Sequence, residues 1–326
     1  MIRNQWYVVL ESNEVKRGKV TGVTRMGEKL AFWRDEQGKV SCHRDLCPHL
    51  GAKLSQGKVM DGHLACPFHG FEFDSSGQCV YVPAFGRNGA VPKALRVEGY
   101  RTYEAHGYIW IYWGEPEGEL VTPQYFDALG QELSYISFHQ FWTVHYSRMI
   151  ENQLDLGHLT FVHYNTIGRG NKTVVDGPIV KLENELLEVW VSNRVDDGTP
   201  RKSTDELPTP TRRPFLQFRY PNIWHNWIAD GVRVTVAFVP VDEEHSIMYG
   251  RYYQRMPNIP GIKQLVLWIG KKSSEYIANQ DRVIVNNQLP KKTGLKIGEK
   301  PQPTDKAILT YRQHRQKLLD ENNKPA

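Results

Sequence analysis

Short apolar runs separated by glycine-containing turns make up the first part of the chain. The runs are rich in β-branched and aromatic residues, and they lie at residues 6–10, 30–33, 40–43, 71–73, 79–82, 97–103 and 107–113. Many short strands at close spacing are typical of a small antiparallel β domain. A charged segment with glycine and proline follows the last run and indicates a domain boundary. We therefore predict an all-β domain over residues 1–116 and a second domain over residues 117–326.

The second domain has a different pattern, in which strand-like and helix-like segments both occur. The apolar spacing predicts strands near 138–145, 179–195, 215–220, 224–228, 232–239 and 246–254, and helices near 147–162, 262–288 and 306–320. Strands in a row followed by helices predict an α+β domain in which a helix lies along an antiparallel sheet. Residues 194–214, rich in proline, threonine and charge, predict a long loop that is either a disordered connection or a lid over a pocket.

Composition narrows the choice of function. The chain has 326 residues and a formal net charge of only +5, without a dense block of Lys and Arg, which argues against nucleic-acid binding. No apolar run approaches the length of a membrane-spanning helix, and the first residues lack the pattern of a secretory signal. We therefore expect a soluble cytoplasmic protein. In a reducing compartment, Cys42 and Cys79 are expected to be buried thiols rather than a disulfide.

The most informative stretch begins at Cys47 and ends at His69. It reads Cys-Pro-His and, after sixteen residues, Cys-Pro-Phe-His. Thiolates and imidazoles in equal number bind a transition metal or an iron–sulfur cluster rather than calcium or magnesium. A structural zinc site usually groups like ligands, whereas each segment here supplies one of each kind. The pattern suits a Rieske [2Fe–2S] cluster, in which Cys47 and Cys66 bind one iron and His49 and His69 bind the other.

The neighbouring residues agree with this interpretation. Pro48 and Pro67 stiffen the two ligand segments, and Gly51 and Gly70 allow the backbone to turn tightly after the histidines. The alternatives are a zinc knuckle and four ligand-type residues that lie close by chance.

A second candidate site lies in the first predicted helix of the second domain. Asp155 and His158 are three residues apart and would share one helix face, with Asn152 and Glu151 on the turn below. His158 and His163 would be about 140° apart, so they reach one metal only if the helix widens to a π turn or ends between them. Two histidines and one carboxylate form the facial triad of non-haem iron(II) oxygenases. Otherwise these side chains are solvated or cap the helix.

The carboxylate of this triad must come from further along the chain. Asp281 and Glu275 both lie on the longest predicted helix, and Asp281 is preferred because the helix turns an apolar face inward around it. Glu275 is the second choice. Asp281 could instead pair with Arg282, Lys271 or Lys272 on a solvated face.

The two motifs together resemble the Rieske non-haem iron oxygenases, the ring-hydroxylating oxygenase α-subunit family. The spelling Glu-Asn-x-x-Asp-x-x-His-x4-His at residues 151–163 is most similar to the single-subunit members that include vanillate and dicamba O-demethylases. The resemblance implies an N-terminal Rieske domain followed by a helix-grip catalytic domain. It also implies that His158, His163 and Asp281 hold a mononuclear iron, while Asp155 connects this site to a cluster histidine of a neighbouring subunit.

The resemblance further implies an activity and partners. The expected protein is an oxygenase component that uses O2 and electrons from an NAD(P)H-dependent reductase or a ferredoxin. It would hydroxylate, or oxidatively O- or N-demethylate, a small aromatic substrate, and it would assemble head to tail as a homotrimer. The alternatives are a cis-dihydroxylating dioxygenase and, from another class, a Rieske electron carrier without a mononuclear iron.

A substrate pocket is expected between the metal-binding helix and the sheet, with an apolar wall and a few polar anchors. Asn152 is a further candidate for a catalytic role. The candidates for the pocket wall are Phe161, Phe215, Phe218, Trp224, Asn226 and Trp227.

Overall fold

The computed structural model describes residues 1–115, 118–130, 132–256, 259 and 261–321. The chain divides into two compact units, one from Arg3 to Gln124 and one from Tyr125 onward. The boundary predicted from the sequence, between Pro116 and Glu117, lies outside the described residues. None of the helices in the described part of the chain is both long enough and apolar enough to span a membrane.

The first unit is built from short antiparallel strands. They are β1 (Gln5–Glu11), β2 (Val20–Arg25), β3 (Glu28–Arg34), β4 (Val40–Arg44), β5 (Lys58–Met60), β6 (His63–Ala65), β7 (Glu72–Phe73), β8 (Cys79–Tyr81), β9 (Gly99–Tyr100), β10 (Thr102–Ala105) and β11 (Tyr108–Trp113). They form three sheets with the strand orders β1-β11-β10, β2-β3-β4-β9 and β5-β6-β7-β8. The predicted run 97–103 is split between β9 and β10. Strands β2, β5 and β6 lack a sequence signal, because the first contains a glycine and the other two are short and contain no Phe, Tyr or Trp.

The core of this unit includes the two cysteines of the candidate cluster site. Cys47 and Cys66 are buried in one apolar cluster whose large members include Trp33, Leu64 and Phe73. Cys47 lies in the connection between β4 and β5, and Cys66 follows β6 directly. The two sulfur atoms therefore lie inside the unit, while the histidines that follow each cysteine lie at its surface. Cys42 and Cys79 are buried free thiols, as predicted.

The second unit contains a seven-stranded antiparallel sheet with the order β12-β18-β17-β16-β15-β14-β13. Its strands are β12 (Leu133–Trp142), β13 (Val174–Glu183), β14 (Leu186–Arg194), β15 (Leu216–Arg219), β16 (Ile223–Ala229), β17 (Val232–Pro240) and β18 (Ser246–Arg255). The helices are α1 (Tyr146–Leu154), α2 (Leu159–Val162), α3 (Ile262–Val285) and α4 (Lys306–Glu321). The predicted α+β class, a β unit followed by a sheet with helices, is confirmed.

Two predicted boundaries are wrong around the first helix. The strand predicted to reach residue 145 ends at Trp142, and His145 instead caps α1, with its Nδ1 accepting a hydrogen bond from Ser147 N at 3.2 Å. The helix predicted over 147–162 is interrupted between α1 and α2. Asp155 causes the interruption, because its Oδ1 accepts a bond from Gly157 N at 2.7 Å and so replaces a helical turn by a local loop.

Helix α3 lies close to the sheet because Gly270 has no side chain. A Cβ at this position would lie 2.2 Å from Cε1 of Tyr252 on β18, so only glycine allows the approach. Further along α3, Gln140 of β12 donates from Nε2 to the carbonyl of Glu275 at 2.8 Å. The half of α3 that follows this bond carries Asp281.

Helices α1 and α4 are joined by charged side chains, of which Arg148, Glu151 and Arg312 are buried and Glu299 is partly exposed. Arg312 donates to both carboxylate oxygens of Glu151, at 2.8 and 2.6 Å, and Arg148 donates to Glu299 at 2.9 Å. Arg312 also donates to Glu299 at 2.6 Å, which closes a network of two arginines and two glutamates. Opposite charges in equal number, joined by direct hydrogen bonds, make their burial tolerable.

Candidate metal centres

The two segments that follow β4 and β6 have matching backbone hydrogen bonds. Cys47 N donates to the carbonyl five residues further on at 2.8 Å, and Gly51 N donates to Cys47 O at 2.9 Å. In the second segment, Cys66 N and Gly70 N make the same two bonds at 2.8 and 3.0 Å. Gly51 and Gly70 have φ values of +73° and +71°, which few other residues adopt without strain. Each segment is therefore a tight loop of the same shape.

The loops present two buried sulfurs and two exposed imidazoles. Cys47 and Cys66 are only 3% and 4% exposed, whereas His49 and His69 lie at the surface with ring centres 4.8 Å apart. The Cys66 thiol lies within hydrogen-bonding reach of Cys47. One pair of like donors on the inner side and one on the outer side fit a cluster with two inequivalent irons.

The surroundings of the sulfur also fit such a group. Burial raises the pKa of the Cys47 thiol to about 11, while the backbone N–H groups of His49 and Leu50 act in the opposite direction. Those N–H groups point at the sulfur and would stabilise a thiolate once a metal takes the place of the proton.

Apolar side chains surround the two exposed histidines. The His49 ring stacks on Phe71 at 4.7 Å between centres, and the Phe68 ring lies 3.9 Å from that of His69. Leu50 and Phe68 are 64% and 60% exposed, so the histidines lie within an apolar surface rim.

The second site gathers three donors from two helices. His158 lies directly before α2 and His163 directly after it, and Asp281 lies on α3. Nε2 of His163 is 3.1 Å and Nε2 of His158 is 3.5 Å from Oδ1 of Asp281. One ligand atom from each residue falls within 4.8 Å of the others. The condition set by their spacing is met because the four-residue helix α2 ends between the two histidines.

The donor set fits a cation. Among the described residues, Oδ1 of the buried Asp281 has no hydrogen-bond partner, although both imidazole nitrogens lie near it. The other oxygen, Oδ2, accepts a bond from Gln153 Nε2 at 3.3 Å. A buried carboxylate oxygen facing two imidazoles without a hydrogen bond is poorly satisfied by protein alone, whereas a divalent metal would satisfy all three.

Asp155 and His158 influence each other's charge. Burial acts to raise the pKa of Asp155, but the nearby imidazole of His158 and the backbone N–H of Gly157 hold it below its usual value. Burial acts to lower the pKa of His158, but the carboxylates of Asp155 and Asp281 raise it. Asp155 Oδ2 lies 3.8 Å from His158 Nδ1, an ion-pair distance, and the Asp155 side chain is 38% exposed. The site is therefore electronegative and reaches the surface through Asp155.

The other polar candidates for this site are Glu275, Glu151 and Asn152. Glu275 forms ion pairs with Lys272 at 2.8 Å and Lys271 at 3.7 Å, which leaves Asp281 as the acid beside the histidines. Glu151 belongs to the buried network with Arg312. Asn152 has a buried Nδ2 without a hydrogen-bond partner in the described part of the chain.

The six pocket candidates are divided by the sheet. Trp224, Phe218 and Asn226 share the sheet face on which α3 and α4 pack, as the ring contact of Phe218 with Tyr311 shows. Trp227 points to the other face, and its backbone N–H donates to the backbone carbonyl of Phe215 at 3.2 Å.

Phe161 lines a surface cleft of about 570 Å³, together with Gly157, Val175 and residues of the 194–214 loop. That loop is held by hydrogen bonds from Arg194 to the carbonyls of Thr199 and Pro200, at 3.0 and 2.9 Å.

Two glutamines at the second site carry no sequence signal of their own. Gln153 donates to Asp281, and Gln280 lies 2.9 Å from Nδ1 of His163. A glutamine has no fixed role in metal chemistry. In the sequence, only their closeness to Asp155 and Asp281 singles them out.

Comparison with protein families covers both units. Residues 5–101 match the Rieske [2Fe-2S] domain, and residues 142–321, more than half of the chain, match the vanillate O-demethylase oxygenase C-terminal domain. The chain belongs to the Rieske oxygenase family. The order of the two matches agrees with the order of the two sites, and the resemblance inferred from the motifs is confirmed.

Rieske oxygenases of known activity are among its relatives. The oxygenase component of dicamba O-demethylase from Stenotrophomonas maltophilia is 34% identical over 207 residues, which are 61% of this chain and 58% of that protein. The vanillate O-demethylase oxygenase subunit of Pseudomonas sp. (strain HR199 / DSM 7063) is 33% identical over 60% of this chain and 51% of its own length. The matches thus span little more than half of either relative.

Solved structures of Rieske oxygenases share the fold. NdmA of Pseudomonas putida CBB5 with caffeine has a TM-score of 0.78 at 21% identity, covering 98% of this chain and 92% of the other. Apo dicamba monooxygenase has a TM-score of 0.72 at 22% identity, covering 99% and 98%. The predicted fold, a Rieske domain followed by a catalytic domain with a large antiparallel sheet and helices, is confirmed.

Proposed function

We propose that this chain is the oxygenase component of a multicomponent system that hydroxylates, or oxidatively O- or N-demethylates, a small aromatic substrate. The observation that carries the proposal is the presence of two separate donor sets in one chain. The Cys47 loop and its counterpart suit an electron-transfer cluster, and His158, His163 and Asp281 suit a mononuclear iron. An electron carrier has no use for the second set.

Each donor has a distinct part in this proposal. Cys47 and Cys66 would hold the inner iron of the cluster, and His49 and His69 would hold the outer one. The triad of the second site would hold a ferrous ion by one side and leave positions open. When bound, the cluster would supply single electrons and the ferrous ion would supply oxygen activation.

Asp155 would serve as the connection between sites of neighbouring subunits. Its exposed carboxylate lies beside His158, and the histidines of the cluster loops are exposed within an apolar rim. In a head-to-tail homotrimer, one copy's exposed histidine could contact another copy's Asp155. An NAD(P)H-dependent reductase or a ferredoxin would deliver the electrons.

The substrate would lie between the helices and the sheet face that carries Trp224 and Asn226. Both have a buried polar atom without a hydrogen-bond partner among the described residues, Nε1 and Oδ1 respectively. Such atoms in an apolar wall suit the orientation of a small polar aromatic ring. Residues 196–201 of the long loop would border the entrance beside Phe161.

The decisive experiment combines metal analysis with oxygen uptake. Purified protein should contain three irons per chain and give a Rieske EPR signal after reduction with dithionite. With a surrogate reductase, a panel of methoxylated and N-methylated aromatic compounds should include one that stimulates oxygen uptake. Two irons per chain would support the electron carrier instead, and a colourless zinc protein would contradict both.

A dihydroxylating activity is the second candidate. A 3-chlorobenzoate-3,4-dioxygenase oxygenase subunit of Comamonas testosteroni is 27% identical over 76% of this chain. Product analysis after turnover with ¹⁸O2 separates the two activities. Dioxygenation places two labelled atoms in the aromatic product and ring hydroxylation places one, whereas demethylation leaves the aromatic product unlabelled and releases the methyl carbon as formaldehyde.

A further inference from the structure

Gln280 lies directly before Asp281 on α3, and its side chain is directed at His163. Oε1 of Gln280 lies 2.9 Å from Nδ1 of His163 and also accepts a bond from the Thr166 hydroxyl at 3.1 Å. Its Nε2 donates to Oδ1 of Asn165 at 2.8 Å. Both ends of this amide therefore contact the segment that carries His163.

These contacts favour one tautomer of His163. A carbonyl oxygen can only accept, so the hydrogen must be on Nδ1 of His163 for the 2.9 Å contact to be a bond. The lone pair is then on Nε2, which faces Oδ1 of Asp281 at 3.1 Å. Two acceptors that face each other across this distance leave a place for a cation.

We propose that Gln280 is the positioning residue that sets the tautomer and ring orientation of His163 and thereby presents Nε2 to the mononuclear metal. This inference rests on the proposed function, because it assumes that the second site binds a ferrous ion. Gln280 acts through His163 and does not itself contact the metal.

Gln280 is in turn held by a chain of hydrogen bonds. Asn165 Nδ2 lies 3.3 Å from the hydroxyl of Tyr276, within hydrogen-bonding distance. The backbone carbonyl of Asn165 accepts a bond from Arg169 Nε at 2.8 Å, which holds this segment of the chain. An unattached glutamine side chain has several rotamers of similar energy, so these bonds remove freedom that would otherwise blur the position of His163.

The other histidine ligand is supported differently. His158 Nδ1 lies 3.8 Å from Asp155 and makes no hydrogen bond within the described residues. His163 is thus held by a direct bond to a neutral amide, whereas His158 lies near a charged carboxylate. The amide orients one ligand without adding a second buried negative charge beside Asp281.

The test measures metal affinity rather than turnover. Protein with its cluster intact and its mononuclear site emptied is titrated anaerobically with Co²⁺. Gln280→Leu removes the acceptor and should weaken Co²⁺ binding by about 10- to 100-fold, the usual effect of losing a partner of a metal-bound histidine. Gln280→Glu keeps an acceptor oxygen and should restore most of the affinity.

Gln140→Leu is the matched control. It removes a part-buried glutamine bond to the same helix, the one from Nε2 to the carbonyl of Glu275, without touching His163. A purely structural role of Gln280 predicts the same Co²⁺ affinity in both leucine variants, and that result would overturn the inference. If Gln280→Leu does not fold, Asn165→Ala replaces it, and an unchanged affinity there would count equally against the inference.

Failure of the proposed function gives a different result. In that case wild-type protein and the Asp281→Ala variant should bind Co²⁺ equally, because no site would depend on Asp281. If instead the Asp281→Ala variant loses a Co²⁺ site that the Gln280→Leu variant keeps unchanged, the proposed function stands and only the positioning role of Gln280 is rejected.

Discussion

The two candidate metal centres are built in opposite ways. The cluster loops are continuous stretches whose four donors lie within residues 47–69, and each loop is shaped by its own backbone hydrogen bonds. The second centre takes two donors from the ends of α2 and one from the distant helix α3. The first centre therefore depends mainly on loop geometry. The second depends on the packing of helices against each other and against the sheet.

The largest expected effect is the loss of the second centre without any change in the first. Asp281→Ala should remove the mononuclear metal and reduce oxygenation to background, because two imidazoles alone bind a divalent ion weakly. Iron content should fall from three to two per chain. The visible absorption of the cluster should stay unchanged, since its ligands lie in the other unit.

Glu275→Ala is the control for this prediction, because it removes the other acid of the same helix. Cys66→Ser is the reciprocal variant, and it should abolish the cluster absorption while a Co²⁺ site remains. Retention of three irons in Asp281→Ala would break the comparison, since the ligand would then have to come from another residue.

The next effect tests the dependence of the second centre on helix packing. Arg312→Met leaves the buried carboxylate of Glu151 without its bidentate partner and should lower the free energy of unfolding of the second unit by about 3–5 kcal/mol. Urea unfolding followed by circular dichroism measures the change. Lys317→Met removes an exposed pair with Glu321, 3.8 Å apart, and should change stability by less than about 1 kcal/mol. Equal effects of the two variants would show that the buried network does not support the helices.

A smaller effect concerns the residue proposed to connect the centres. Asp155→Asn keeps an oxygen for the bond from Gly157 N and so preserves the loop between α1 and α2, but it removes the charge beside His158. We expect turnover to fall by about 10- to 100-fold while both metal sites remain loaded. Stopped-flow reoxidation of the reduced cluster in the presence of substrate would locate the loss. Full activity of this variant would remove Asp155 from the electron path.

The smallest effect is a dependence of stability on pH. Burial lowers the pKa of His225 in the second unit to about 3, with help from Arg233 and Arg213, and burial lowers that of His43 in the first unit to about 4. The unfolded chain therefore binds protons first as the pH falls below about 6.5, so folded stability decreases in both units. For His225 alone the loss at pH 5 should be about 2 kcal/mol relative to neutral pH.

The His225→Asn variant checks this value. Its unfolding free energy should decrease less between pH 7.5 and pH 5 than that of the wild type, and the metal ligands are identical in both proteins. Parallel pH profiles of variant and wild type would assign the acid sensitivity to other groups.

The contrast between the centres also explains how much of each could be predicted. The candidate cluster ligands form a local pattern, so Cys47, His49 and their counterparts could be proposed without knowledge of the fold. His158 and His163 carried an unresolved condition, since a regular helix would separate them. The structure meets that condition because the four-residue helix α2 ends before His163, and the Asx turn at Asp155 separates α2 from α1; apolar periodicity reports neither feature.

The remaining parts of the second centre are tertiary. The choice between Asp281 and Glu275 depends on which turn of α3 faces α1, and the sequence indicated this only through a few apolar neighbours. The role inferred for Gln280 depends on contacts with a segment far away in sequence. Likewise, the division of Trp224 and Trp227 between two sheet faces follows from strand register, which the apolar runs alone do not specify.

The short helix α2 has a consequence for how this protein could be altered. Its single turn of four residues sets the distance between His158 and His163 and their relative orientation. Adding one residue there would rotate one imidazole relative to the other by about 100° and shift it by about 1.5 Å along the axis. Length variation between the two histidines should therefore be far less tolerable than variation in the loop at residues 194–214.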